Sequence, residues 1–403
     1  MANVSSSNGL EKRPKLRFPG FDEPWKAALL SDYFAKNIKK NADGAITNVI
    51  CNSAKQGLIP QRNYFDKDIA NSDNTDGYYI IETNDFVYNP RKSTDAPYGP
   101  ISSYKYPEAG IVSPLYLCFR AKQEINPLYF EWYFRSSAWH RYIYMSGDSG
   151  ARHDRVSIKD DTFFAMPINI PSAQEQDRIA LFLNAIEQRI DKQRSLVEAL
   201  KKYKRGAIQK LFSETEIEQW ELVKLKDVVK VFDGTHQTPN YKTTGVRFIS
   251  VENILDPLAT QKYISEDDYR KEFKVHPEYG DVLMTRIGDI GRTCYINFDS
   301  DMAYYVSLAL FKCSPKIEGQ FLAAYISTNT FQKELWERTL HIAFPKKINT
   351  GEIGECSIRL PSRERQIAMA SYLEVIEKKI RLAEKQLDLI QIFKTGLMQQ
   401  LFM

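Results

Sequence analysis

The chain repeats itself, and the repeat limits its possible architectures more than any other feature. Residues 170–212 read IPSAQEQDRIALFLNAIEQRIDKQRSLVEALKKYKRGAIQKLF. Residues 360–402 read LPSRERQIAMASYLEVIEKKIRLAEKQLDLIQIFKTGLMQQLF and align with them without a gap, at an offset of 190. Identical pairs include Pro171/Pro361, Ser172/Ser362, Gln176/Gln366, Leu183/Leu373, Glu187/Glu377 and Gly206/Gly396. In both copies apolar residues recur in alternating steps of four and three. The first carries Ile179, Leu183, Ile186, Ile190, Val197, Leu200 and Leu211 on this seam, and the second Met369, Leu373, Ile376, Ile380, Leu387, Ile390, Leu397 and Leu401. Such spacing predicts two long helices whose heptad stripes pack on each other. Forty residues of helix make a rod of about 60 Å. The simpler alternative is that each helix only edges its own domain.

The helix starts are marked. Ser172 and Ser362 each follow a proline and precede the apolar run, and Glu175 stands three residues after Ser172, the spacing of a capping box. Arg365 replaces that glutamate in the second copy, which leaves the serine cap alone. Lys204 and Lys394 share one seam position, where a lysine either fixes register or marks an end that splays.

A fainter repeat lies upstream. Trp25, Leu30 and Asp32 match Trp220, Leu225 and Asp227 at an offset of 195, and the same offset places Phe86–Arg91 on Asp281–Arg286. The chain therefore divides into a tail (residues 1–20), a globular domain (21–169), a helix (170–213), a second globular domain (214–359) and a second helix (360–403). Residues 2–9 have the composition of a disordered tail. Strand-like runs at residues 78–82, 85–88, 115–119, 246–251, 282–285 and 309–312, with short helices at 128–136 and 321–327, give an α+β class with a twisted or barrel-like sheet.

Between these runs the loops gather the side chains that read bases and hold phosphates. The first domain offers Lys55, Gln56, Asn89, Arg91, Lys92, Ser102, Arg152 and His153. The second offers Thr235, His236, Thr238, Thr285, Arg286, Arg292, Lys346 and Lys347. Each also has a plain alternative as a solvated surface residue or a turn former. The paired occurrence of Arg91 and Arg286 raises those two above the rest.

Several classes are excluded or disfavoured. The five cysteines are an odd number and form no C-x-x-C pair, which argues against a disulfide framework or a zinc site and for reduced thiols. No phosphate-binding loop, G-x-S-x-G elbow, H-E-x-x-H helix or Asn-Pro-Pro-aromatic motif occurs. Asp267, Asp268 and Glu272 form the best available nuclease-like set, built only from common residues in a charged stretch. Without a signal-like or membrane-spanning apolar run, a soluble cytoplasmic protein is expected. Net charge is only +4, so a nucleic-acid partner requires cations concentrated locally.

Taken together, these segments resemble the specificity subunits of type I restriction-modification systems. The residues that carry the likeness are Pro14–Phe21, Asp233–Pro239, Phe248–Ile254, Gly280–Leu283 with Thr285–Gly288, and the two helices opening with [IL]-P-S-x-x-x-Q. The resemblance implies two target recognition domains joined by two antiparallel coiled-coil spacer helices, each domain reading half of a split, asymmetric double-stranded DNA target. It implies two methyltransferase subunits and restriction/translocase subunits as partners. No cofactor is expected in this chain, since S-adenosylmethionine, ATP and Mg²⁺ belong to those partners. An orphan or recombination-donor specificity protein is the alternative within the family, and a nuclease is the alternative outside it.

Overall fold

The computed structural model describes residues 13–63, 75–147 and 154–402. The tail expected over residues 2–9 lies outside them, as do Arg152 and His153. The fold is α+β and separates into two compact units, one comprising residues 1–193 with 386–403, the other residues 194–385. The division falls within the two long helices, Ala173–Leu211 and Arg363–Leu401, so each unit owns one globular part and a piece of both helices.

In the first unit a four-stranded antiparallel sheet runs in the order Phe34–Lys36, Leu117–Ala121, Phe86–Tyr88, Ile101–Ser103. Side chains alternate across it, as a pleated strand requires. Phe86, Tyr88 and Phe119 face a core completed by the helix Pro127–Arg135 and by Leu183, Leu397 and Leu401 of the long helices. Val87 and Cys118 face a smaller core with Ile50, Leu58 and Tyr104. The second unit repeats this plan, with strands Val229–Asp233, Leu308–Cys313, Val282–Thr285 and Thr293–Tyr295 in the same order. Val282, Met284 and Phe311 face the helices Gly319–Ile326 and Arg363–Leu401, while Leu283 and Leu310 face a second core around Phe248 and Tyr304. Both sheets are open rather than barrel-like among the described residues.

Within each unit the long helices pack antiparallel. In the first, Lys394 Nζ lies 2.7 Å from Glu187, and Gln193 donates to Gln386 at 3.2 Å. In the second, Lys204 Nζ lies 2.7 Å from Glu377, and the Tyr203 and Tyr372 hydroxyls are 2.6 Å apart. No seam residue is exposed: Leu183, Ile190, Leu373, Ile376 and Ile380 are buried, and Ile186, Leu200 and Ile390 half-buried. The two seam lysines do not splay the helices. Each forms an ion pair with the other helix, and the pairs are copies of one another, because Glu187 and Glu377, like Lys204 and Lys394, are equivalent in the repeat.

The [IL]-P-S-x-x-x-Q signature closes each helix start. Ser172 Oγ accepts from the Glu175 amide and Ser362 Oγ from the Arg365 amide, at 3.3 and 3.4 Å. Gln176 and Gln366 fold back to donate to the carbonyls of Pro171 and Pro361. Glu175, expected to complete a capping box, is engaged elsewhere. Its carboxylate takes two bonds of 2.8 Å from Arg17 and one of 3.2 Å from the Trp25 indole. A forked guanidinium outcompetes a single exposed amide for a buried carboxylate. Residues 16–18, assigned to the tail by sequence, are thereby held on the helices, with Leu16 donating to Gln400 and Phe18 edge-on to Phe182. At the matching place in the second unit the polarity is reversed: Arg365 of the helix pairs with Glu216 and lies over the Trp220 ring.

Candidate nucleic-acid interface

The sheet of the first unit carries a loop-lined cleft of about 970 Å³. Five residues expected to touch DNA converge on it: Lys55, Gln56, Asn89, Arg91 and Lys92. Their positions follow from the backbone. Gly57, at φ +71°, turns the hairpin that presents Lys55 and Gln56, and Gly99, at φ +83°, passes so close to the Asn89 carbonyl that a Cβ would stand 2.1 Å from it. Beneath the cleft Asn52 acts as a buried polar hub. It donates to the carbonyls of Val87 and Pro100 and accepts from Ser102 Oγ at 2.8 Å. Ser102, expected to touch DNA, is instead buried and props Asn52.

Among the described residues Lys55, Arg91 and Arg155 carry only long ion pairs, of 3.5 Å to Asp95 and 3.9 Å each to Asp154. Exposed pairs of that length contribute little and are readily exchanged for phosphate. Arg155 was missed by sequence reasoning. It is placed by a two-residue ladder in which Arg91 and Arg155 pair, Lys92 donates to the Asp154 carbonyl and Val156 to the Pro90 carbonyl.

The second unit contains the same ladder: Ile287 pairs with Lys347, Gly288 donates to the Lys346 carbonyl and Ile348 to the Arg286 carbonyl. Arg91 therefore corresponds to Ile287, and Pro90 to Arg286. The pairing of Arg91 with Arg286 read from sequence is one residue out of register. Because strand side chains alternate, one residue exchanges outside for inside. Arg286 is accordingly not a presented reader: it is 7% exposed. Its guanidinium donates to the Ile348 carbonyl at 3.1 Å and the Val306 carbonyl at 3.0 Å, and reaches Asp233 at 3.3 Å. Burial lowers its pKa from the ordinary value, and Asp233 opposes that shift. Arg286 braces three loops. Thr285 is likewise internal; its hydroxyl accepts from the Arg292 amide and donates to the Asp289 carbonyl, closing the turn that Gly288 and Gly291 make at positive φ.

A turn earlier in the sequence fixes the correct register. Glu82 and Glu278 each donate their amide to an aspartate three residues on, Asp85 and Asp281, across a residue at positive φ, Asn84 or Gly280. Asp85 then holds Arg120 and Asp281 holds Lys312, both at 2.6 Å. Glu82 and Glu278, like Asp85 and Asp281, stand at an offset of 196, not 195.

The side chains the second unit does present are His236, Thr238, Arg292, Lys346 and Lys347, all exposed, with Thr235 half-buried. Thr235 and His236 line a cleft of about 600 Å³, and His236 Nε2 lies 3.0 Å from Asp233, which ties this loop to Arg286. Neither Lys346 nor Lys347 has a carboxylate partner among the described residues; Lys346 lies over the Trp336 ring. The nuclease-like set does not converge. Asp268 accepts the Ser265 hydroxyl at the start of its helix, and no group of three or more His, Cys, Asp or Glu side chains among the described residues is placed to hold a metal ion.

Residues 217–391 match the family described as type I restriction modification DNA specificity domain. Over those residues the chain resembles this specificity family. A curated relative, the type I restriction enzyme MjaVIII specificity subunit of Methanocaldococcus jannaschii, is 28% identical over 264 residues, which cover 59% of this chain and 62% of the relative. The chain thus spans about six-tenths of the length of the curated specificity subunit it matches. Among solved structures, a chain from a study of complex assembly and conformational transition in a type I R-M system aligns with TM-score 0.59 at 16% identity, over 96% of this chain and 99% of that one. The S subunit from M. genitalium aligns with TM-score 0.57 at 14% identity, over 97% and 99%. The HsdS subunit from Thermoanaerobacter tengcongensis aligns with TM-score 0.51 at 16% identity, over 98% and 99%. At such identities the agreement concerns the fold. No helix among the described residues is long and apolar enough to cross a membrane.

Proposed function

We propose that the chain is the DNA sequence-specificity subunit of a type I restriction-modification enzyme, working in the cytoplasm. It binds a bipartite, asymmetric double-stranded target and directs two methyltransferase subunits and the restriction/translocase subunits to it. The observation that carries this reading is a duplicated ladder whose two copies present different side chains. The ladder displays Arg91, Lys92 and Arg155 in the first unit, and Lys346 and Lys347 in the second. Two similar scaffolds with unlike readers suit two unlike half-sites. Held in one chain, they act at a high effective concentration, so two modest affinities give one selective binder.

In this reading the chain performs no bond chemistry. S-adenosylmethionine, ATP and Mg²⁺ act on the partner subunits, and adenine extrusion is completed in a methyltransferase pocket. Gln56 and Asn89 suit adenine edges, Arg91 suits guanine, and the lysines suit phosphates. Genome-wide mapping of methylated adenines with and without the gene tests the proposal. A bipartite motif that disappears with the gene is the expected result. An unchanged methylation pattern, in a host whose methyltransferase subunits are expressed, refutes it.

A further inference from the structure

Among the described residues the most exposed large apolar side chains are two, one residue apart: Ile342 is 99% exposed and Phe344 104%. They form the tip of a loop whose base is closed where Leu340 pairs with Lys347. The loop is held rather than loose. His341 Nε2 lies 2.8 Å from the Trp336 carbonyl, Leu340 donates to the Lys347 carbonyl at 2.8 Å, and Lys347 also pairs with Ile287 of the ladder. Ordered stems carrying bare apolar tips are uncommon on a solvated surface, where they mark an interaction.

The rim decides the occupant. Lys346 and Lys347 follow Phe344 closely and carry no carboxylate partner among the described residues, whereas the nearest reader on the facing loop, Arg292, is held by Asp289 at 2.7 Å. The nearby glutamates Glu334 and Glu337 are paired with Arg338 and Lys333. An apolar tip in a cationic rim complements stacked bases between phosphate rails. Proteins that kink a duplex use such wedges, inserting Phe, Leu, Ile, Met or Pro between base steps.

We propose that Phe344, flanked by Ile342, inserts between base pairs of duplex DNA at the half-site read by the second unit, making this loop a deformation sensor in addition to the readers beside it. The proposal rests on the specificity reading above. The sequence of the first half offers no counterpart: the stretch aligned with the tip, residues 146–153, reads SGDSGARH and contains no large apolar residue. The wedge is therefore a property of one half-site.

The test uses the full chain co-expressed with its methyltransferase subunits. The probe is a fluorescent duplex of about 40 bp, long enough for the two half-sites of a dimer-like reader, carrying the methylation motif mapped in the host. Its scrambled version is the control. Phe344→Ala is expected to weaken motif binding roughly 5- to 150-fold, the range for losing one aromatic–base stack. An abasic site scanned along the duplex should restore most of that loss at one step, because the unstacking cost is removed there. Phe344→Trp should bind like wild type and lose indole fluorescence when the duplex is added. Phe344→Ala binding as tightly as wild type overturns the wedge, as does weakening that no abasic position relieves. Loss of the methyltransferase subunits on gel filtration also overturns it and assigns the tip to a protein interface. If the wild-type complex itself fails to prefer the motif over the scrambled duplex, the specificity reading fails rather than the wedge alone.

Discussion

Replacing Arg286 by alanine separates a brace from a reader. The guanidinium satisfies the buried carbonyls of Ile348 and Val306 and approaches Asp233. Truncation leaves two carbonyls without a donor, at about 1–2 kcal/mol each, or roughly 2–4 kcal/mol in all. Asp233 is 38% exposed and regains water, so it adds little. In a unit of this size each kcal/mol lowers the melting temperature by about 2–4 °C, giving a fall of roughly 4–16 °C. Calorimetry of the full chain should show this in one transition only, because the first unit does not contain the residue. Amide exchange should accelerate at Thr235, Val306 and Ile348, the backbone tied together by the side chain. Arg286→Lys should recover part of the stability, since an ammonium cannot reach all three acceptors at once. A variant that melts like wild type yet loses motif binding would refute the brace and return Arg286 to the set of base readers.

Four further outcomes are expected. Lys346→Ala with Lys347→Ala should leave melting unchanged and flatten the salt dependence of DNA binding by about 0.9 in log–log slope for each phosphate no longer neutralised; an unchanged slope removes both residues from the phosphate interface. Lys394→Glu should lower the first transition by a few degrees by facing Glu187 with a like charge, and Glu187→Lys in the same chain should restore it; strictly additive losses would show that the pair does not set helix register. Burial pushes the Cys118 and Cys356 thiols up to about 12, so at pH 8 the native chain should resist alkylation there, whereas prompt labelling of either would contradict their burial. Their neutral forms stabilise the fold fully below the unfolded thiol value and lose that effect between roughly pH 9 and 12, so the alkaline limb of a melting curve should fall across that window. Inserting one heptad into the helix Ala173–Leu211 should change the gap between half-sites or abolish activity while both half-site sequences persist; an altered half-site sequence would sink the spacer role.

The long helices were legible because their constraint is periodic: a seam such as Leu183, Ile186 and Ile190 survives in any alignment of the two copies. Strand positions were legible for the same reason, and Val282–Thr285 was read to the residue. The register between the globular halves was not. Loops of unequal length separate the anchors on either side, and the offset passes from 195 at Trp25 through 196 at Asp85 to 190 at the second helix. One residue of error there turned Arg286 outward on paper. The Glu-x-x-Asp turns at residues 82–85 and 278–281 held the information, since both place Asn or Gly where the backbone must adopt positive φ. Ser102 and Thr285 were misread for a different reason: a hydroxyl suited to phosphate is equally suited to closing a turn, and only burial distinguishes the two.

The reversed ion pairs at the helix starts bear on how such a chain can be rebuilt. Arg17 meets Glu175 in one unit, while Glu216 meets Arg365 in the other. The two helix openings are otherwise close copies, so this polarity acts as a key that matches each globular part to its own rod. A chimaera that moves the first globular part onto the second helix start would set Arg17 against Arg365 and strand Trp25 without its carboxylate acceptor. Recombinant specificities assembled from this chain should therefore place their junction after the first turn of the helix, so that the lock travels with its key.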